Sequence, residues 1–263
     1  MALSTGSVRS RQGCDKCSKR GKTKFAIDIR MAFQPIVDVD KHLVFAHEAL
    51  VRGPEGEGAG WVLSQVDHET RYAFDQLCRV TAIETAARLN MADRISINFM
   101  PNAVYNPENC IQTTLRTAEK CAFPLENLIF EFTEGEDISD VAHLSHIFDE
   151  YRKHGFGVAI DDFGAGFSGL GKLAELQPDL VKLDMALIRG IDRDDRRRII
   201  VDGIVEICTR LKITVIAEGI ETEEEMSTLV DHGITLLQGY YFAKASLEAA
   251  VVPDGFSPRR AAA

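Results

Sequence analysis

Apolar residues gather in eight short runs along the chain, and nearly every run closes on a polar or charged residue. The runs are MAFQPIV (31–37), LVFAHEAL (43–50), RISINF (94–99), NLIFEF (127–132), GVAIDD (157–162), LVKLD (180–184), TVIAE (214–218) and ITLLQG (234–239). They are short and rich in Val, Ile and Phe, which predicts strands. Helical periodicity fills most of the gaps, over Glu69–Leu89, Val141–His154, Arg196–Leu211 and Glu223–His232. A further helix is expected within Asn102–Cys121, after a loop at Tyr105–Asn109. Only Asp38–His42 separates the first two strands, too little for a helical crossover, so that pair should be antiparallel. From there strand and helix alternate, which implies a parallel sheet. Eight strands in 263 residues point to an α/β fold, a (β/α)8 TIM-like barrel with an antiparallel first strand. A doubly wound open sheet is the alternative.

Composition adds limits. Hydrophobic residues make up 45% and charged residues 27%, an ordinary globular balance. No apolar run approaches a membrane span, and the polar, basic N-terminus has no apolar signal core, so a cytoplasmic protein with no membrane partner is expected. The net charge of −10 argues against a nucleic-acid polymer as partner. It leaves room for a small anionic ligand, provided metal or arginine offsets the overall field. Of six cysteines, Cys78, Cys110, Cys121 and Cys208 are scattered and read as reduced thiols. Cys14 and Cys17 form a CxxC pair, half of a four-ligand zinc site, and residues 1–23 are read as a flexible tail. Residues 24–250 form the barrel, and 251–263 read as a loose C-terminal tail. The run DRDDRRR (192–198) reads as a solvated helix start, with a subunit contact as the alternative.

The chemistry collects where strands end. In a parallel barrel these ends share one face, and active sites sit there. The residues delivered are Glu48, Asn98, Glu131, Asp161 with Asp162, Lys182 with Asp184, Glu218 and Gln238. Surface position alone explains one or two polar strand ends, but not so many carboxylates. Like charges at one mouth repel, and all-oxygen ligation suits a hard cation, Mg²⁺ or Mn²⁺. The histidines do not compete: His143 and His146 lie on a helical pattern and read as a solvated face. Asp161 and Asp162 would diverge in a regular strand. At a strand end followed by Gly164, Gly166 and Gly169, the second can curl back.

These residues resemble the EAL domain family of cyclic di-GMP phosphodiesterases. The naming motif stands as Glu48-Ala49-Leu50-Val51-Arg52. FQPIVD (33–38), ISINF (95–99), FEFTE (130–134), AIDDFGAGFSGL (159–170), VKLD (181–184), VIAEGIE (215–221) and QGYYF (238–242) follow in the family's order. The resemblance spans roughly Met31 to Phe242. It implies hydrolysis of cyclic di-GMP to linear pGpG with two Mg²⁺ or Mn²⁺ ions per active site. It implies metal ligation by Glu48, Asn98, Glu131, Asp161, Asp162 and Glu218, with Lys182, Glu218 and Glu48 as catalytic groups. Lys182 would hold or polarise the attacking water. Gln34, Leu50, Arg52, Asp75, Asp184 and Gln238 would line the substrate, with Arg52 on a phosphate and Asp75 matching a helix acid that bonds guanine. Glu134 and Glu221 would order loops, and a homodimer is expected.

The chain departs from the family pattern in three places. The stretch GPEGEGAGWVLSQVDHE after Arg52 lacks the usual Pro-x-x-Phe segment. GFSGL stands where GYSSL is common, with Phe167 and Gly169 changed, and FAKAS lacks a usual proline. None of these removes a metal ligand. The rival readings are a cyclic di-GMP receptor without catalysis, a regulatory module acting through protein contacts, and another metal-dependent barrel hydrolase.

Overall fold

The first two strands, β1 (Arg30–Asp38) and β2 (Leu43–Arg52), pair antiparallel along their length, with Gln34 opposite Glu48. These are the expected hairpin strands. The computed structural model describes residues 24–135, 140–166 and 169–259. The CxxC pair and Phe167 therefore lie outside the described residues. Strands β3 (Arg94–Asn98), β4 (Leu128–Thr133), β5 (Gly157–Phe163), β6 (Leu180–Leu183), β7 (Thr214–Ala217) and β8 (Leu236–Leu237) follow in parallel, each beside the last. β1 then pairs antiparallel with β8 through Val37–Leu237 and Asp38–Leu236, which closes the barrel. Closure excludes the open sheet. The main helices are α1 (Arg71–Arg88), α2 (Gln112–Cys121), α3 (Val141–Lys153), α4 (Gly169–Leu176), α5 (Asp195–Leu211) and α6 (Glu223–Asp231).

A period of two sets the interior. Ile36, Ala46, Ile129, Ala159, Leu180, Ile216 and Leu236 form a separate apolar cluster, one residue from each of seven strands. Two residues further along the parallel direction stand Glu48, Glu131, Asp161, Lys182, Glu218 and Gln238. Gln34 holds the corresponding place on the reversed β1. Side chains two apart share a strand face. The barrel therefore stacks an apolar plug beneath a charged layer. The larger core lies outside the sheet, where Phe130, Phe132, Phe148 and Tyr151 are fully buried against the helices. Each such side chain contributes about 1.5–3 kcal/mol by burial.

Three local details differ from the sequence-based expectation. The 102–121 stretch is broken: Asn106 caps a one-turn helix, Pro107–Cys110, by accepting from Asn109 N, and α2 follows. Proline at the first helical position starts a helix readily, so the expected loop through Asn109 is shortened. A ninth strand, β9 (Ser246–Leu247), pairs antiparallel with β1 through Ala32–Leu247 and Phe33–Ser246, nearer the start of β1 than its pairing with β8. Residues 251–259, expected to be loose, are instead tied to the barrel. Val251 O bonds His47 Nε2 at 3.0 Å, Ser257 O accepts from Val44 N at 2.8 Å, and Arg259 N donates to Asp93. Extended backbone pairing needs no hydrophobic periodicity, so the segment left no pattern in the sequence.

β8 is only two residues long because the chain turns sharply at Gly239. A Cβ there would lie 2.1 Å from Ile220 O and 2.4 Å from Ile220 N. Both obstacles are backbone, so no rotamer change relieves them. Gly239→Ala is expected to destabilise by about 3 kcal/mol or more, the upper range for overpacking, read as a lowered denaturation midpoint.

Candidate active site

One ammonium stands at the centre of the charged layer. Lys182 Nζ, at the end of β6, lies 2.6 Å from Glu218, 3.0 Å from Asp161, 3.3 Å from Glu131 and 3.5 Å from Glu48. Lys182 is 1% exposed and Glu131 is fully buried. Burial alone would push the lysine pKa down, but Asp161, Glu131, Glu218 and Glu48 outweigh it and hold the pKa well above the usual range. Four carboxylates thus face one cation.

Around this centre the polar groups interlock. Gln238 Nε2 donates to Glu48 at 2.7 Å, and Asn98 Nδ2 donates to Glu131 at 2.9 Å and Glu48 at 3.3 Å. Ser96 Oγ donates to Glu131 at 2.5 Å. Burial pushes Glu48 upward, yet Lys182 with the Gln238 and Asn98 bonds lowers it overall. Glu131 is raised well above the carboxylate range by burial, despite Lys182. Burial also raises Glu218 to about 8.

Asp162 reaches the site by a backbone irregularity. The β5–β6 register shifts between Ile160 and Phe163, and Asp162 sits at φ 53°. Aspartate tolerates this left-handed conformation better than most residues. The curl brings the neighbouring acids to one side. One trio, Glu48, Glu131 and Asp161, and another, Asp161, Asp162 and Glu218, each offer carboxylate oxygens within 4.8 Å of one another. Asp161 is shared between the two. Burial, then Asp161 and Asp184, raise Asp162 to about 6.

The donor set fits a pair of hard divalent cations. It is all oxygen, it carries more negative charge than Lys182 balances, and Asp161 Oδ1 is buried without a hydrogen-bond donor among the described residues beyond the lysine charge. Metal binding needs these acids ionised.

The same shifts fix a sign for pH. A raised carboxyl pKa means that the folded chain still holds a proton the unfolded chain has released. Ionisation of Asp162 between about pH 4 and 6 therefore destabilises the metal-free fold, and Glu218 extends the loss to about pH 8. In EDTA, thermal melts should show Asp162→Asn flattening the decline between pH 4 and 6. An unchanged profile in this variant would refute the assignment.

The remaining expected residues divide. Glu134 accepts from Gly164 N at 2.8 Å and Gly166 N at 3.4 Å, and its backbone carbonyl accepts from Lys172. It thereby holds the loop after Asp162. Glu221 pairs with Arg189 at 2.7 Å, and Arg189 also faces Glu225. Gln34, Leu50, Arg189, Tyr240 and Gln238 line a cavity of about 250 Å³ on one side of the acids. Leu50, Asp75, Phe74, Met100, Ala59 and Leu63 line another, about 320 Å³, on the other side. The last two come from a short helix in the atypical segment after Arg52. Arg52 Nη1 donates to its neighbour's carbonyl, Val51 O, at 2.8 Å. Asp184 caps the turn at Met185–Ile188 by accepting from Ala186 N. Asp75 is 2% exposed, with one oxygen 2.8 Å from Arg79 Nε and the other accepting from Met100 N at 2.9 Å. Both of its carboxylate oxygens therefore have partners within the protein. Ser96, Arg79 and Arg189 were not anticipated. Ser96 was findable, two residues before Asn98 on the same strand face.

Comparison with known proteins decides the family. A model of the EAL domain matches residues 24–245. The chain belongs to the EAL domain family. Over 88% of its length it superposes on 98% of a standalone versatile EAL protein from Vibrio cholerae O395 in its c-di-GMP bound form, with 47% identity and a TM-score of 0.85. A manganese/cy-diGMP complex of Klebsiella pneumoniae BlrP1 aligns over 85% of this chain and 57% of that one, at 33% identity and a TM-score of 0.80. Among curated relatives, the Escherichia coli blue light- and temperature-regulated antirepressor BluF is 35% identical over 84% of this EAL chain and 55% of its own length. The probable cyclic di-GMP phosphodiesterase PdeG of the same organism is 32% identical over 60% of this chain and 31% of its own length. The chain thus spans about half or less of these two relatives. Among the described residues no helix is long and apolar enough to cross a membrane.

Proposed function

We propose that this EAL chain hydrolyses cyclic di-GMP to linear pGpG in a metal-dependent reaction. One observation carries the reading: two overlapping carboxylate trios share Asp161 and surround a buried lysine. Two Mg²⁺ or Mn²⁺ ions, held by Glu48, Asn98, Glu131, Asp161, Asp162 and Glu218, would activate water and offset phosphodiester charge. The chain's own part is positional. Lys182 is fixed by the acids around it and presents an ammonium where an attacking water can donate to Glu218 and accept from Nζ. Gln238 and Asn98 hold Glu48 in place. The flanking cavities, at about 250 and 320 Å³, give the two halves of a cyclic dinucleotide separate places. Arg52 would turn from Val51 O to a phosphate, because a guanidinium binds that group more strongly than a neutral carbonyl.

Ile199, Ile200, Ile207 and Leu211 are exposed along α5, and such apolar exposure supports the homodimer. The BluF similarity favours a second reading, a regulatory module acting through protein contacts.

Incubation with cyclic di-GMP and Mn²⁺, followed by separation of nucleotides, distinguishes the two. The enzyme yields linear product that vanishes with EDTA and in Glu48→Ala. Tight binding without product refutes hydrolysis and leaves the regulatory reading.

A further inference from the structure

The cavity of about 250 Å³ beside the acids has two kinds of lining. Glu48 and Gln238, buried, belong to the charged layer. Met185 and Tyr240 are exposed, and Arg189 and Glu221 line the cavity with them. Arg189 follows the turn Met185–Ile188, and Glu221 stands between β7 and α6.

One buried side chain fixes the positions of Arg189 and Glu221. Glu225, on α6, accepts from Gly190 N at 2.9 Å through Oε1 and from Glu221 N at 3.0 Å through Oε2. The same Oε2 faces Arg189 Nη1 at 3.7 Å. Arg189 Nη2 donates to Glu221 Oε1 at 2.7 Å. The other oxygen of Glu221 has no donor among the described residues. The Arg189 and Glu221 side chains are 36% and 49% exposed, and an ion pair this open to solvent adds little to stability.

Side by side, the pair presents an N–H donor and two carboxylate acceptors. The pairing edge of guanine presents the complement, with O6 accepting and N1–H and N2–H donating. Adenine carries a donor in place of O6 and an acceptor in place of N1–H. We infer that Arg189 and Glu221 read one guanine of the cyclic dinucleotide, Glu221 accepting from N1 and N2 and Arg189 donating to O6. The inference rests on the cyclic di-GMP reading of this site. Tyr240 offers the base an aromatic face. Glu225 is a positioning residue, and it acts through the two that touch the base. In the other cavity, by contrast, Asp75 is held by Arg79 and Met100 N.

Steady-state hydrolysis of cyclic di-GMP and of cyclic di-IMP with Mn²⁺ tests this, because the inosine analogue lacks only the N2 amino groups. Wild type should favour cyclic di-GMP in kcat/KM by about tenfold or more, the usual cost of leaving one charged hydrogen bond unmade. Glu221→Ala should cut that preference to about threefold or less, because the acceptor for N2 is gone. Arg189→Met should raise KM for both dinucleotides alike, by about tenfold, because both keep O6. Should Glu221→Ala fail to fold, Glu221→Gln carries the same expectation. If wild type binds without turnover, hydrolysis is refuted and the same ratios are read in Kd. A wild type that accepts both dinucleotides equally, a Glu221→Ala loss shared equally by the two, or a wild-type KM in Arg189→Met would overturn this inference alone. No binding of cyclic di-GMP at all would overturn both readings.

Discussion

Lys182→Met is expected to lower the melting temperature of the metal-free protein by about 10 °C and to cut the proposed hydrolysis by roughly 10²–10³-fold. The first figure comes from a buried cation whose partners remain. Breaking such a pair costs about 3–5 kcal/mol, and a chain of this size loses roughly 2–4 °C per kcal/mol. Here Glu218, Asp161, Glu131 and Glu48 would all face one another within the reach that Nζ now spans. The acids can escape by taking up protons, so the deficit should be larger at pH 8 than at pH 6. Mn²⁺ should restore most of the lost stability in the variant, because it supplies the missing charge. The second figure is the usual loss when one preorganised donor aimed at the reacting atoms is removed, and Mn²⁺ should not restore it. Melts in EDTA and in Mn²⁺, paired with product assays, separate the two roles. A variant that melts like wild type in EDTA would show that the lysine does not balance the acids.

Most of the barrel and its charged layer are legible in the sequence because both follow period two. Ala46–Glu48, Ile129–Glu131, Leu180–Lys182 and Ile216–Glu218 each repeat one inward position. Apolar then ionic, two residues apart, marks the strand, its inner face and the end at which chemistry collects. What escaped depends on backbone geometry or on contacts distant in sequence. The left-handed turn at Asp162 was suggested by the glycines beyond it, but its register shift against β6 required the neighbouring strand. Residues 251–259 are held through backbone groups of His42 and Val44 and the side chains of His47 and Asp93, all far upstream. Asp75 escapes for a different reason: a motif position says which residue is present, not which partners hold its charge, and here Arg79 and Met100 N hold it.

Asp75 therefore carries the second large prediction. Arg79 is fully buried, donates to Tyr151 Oη at 2.7 Å and lies within 5.6 Å of the centroids of the Phe99, Phe130 and Tyr151 rings. Its Nε faces Asp75 at 2.8 Å, and Asp75 in turn holds Met100 N, two residues past Asn98. Asp75→Asn would leave an uncompensated guanidinium among aromatic rings. The expected loss is about 3–5 kcal/mol, again about 10 °C in melting temperature at this chain length. The double change Asp75→Leu with Arg79→Met should recover much of it, since apolar groups of similar volume often replace a buried ion pair at little cost. A direct guanine contact predicts the reverse pattern: Asp75→Asn would melt like wild type and bind cyclic di-GMP far more weakly. Binding measured well below the melting transition, beside the melting curves of all three proteins, discriminates between them. The geometry predicts near-normal affinity in Asp75→Asn once the chain is folded, because both carboxylate oxygens already face partners of their own.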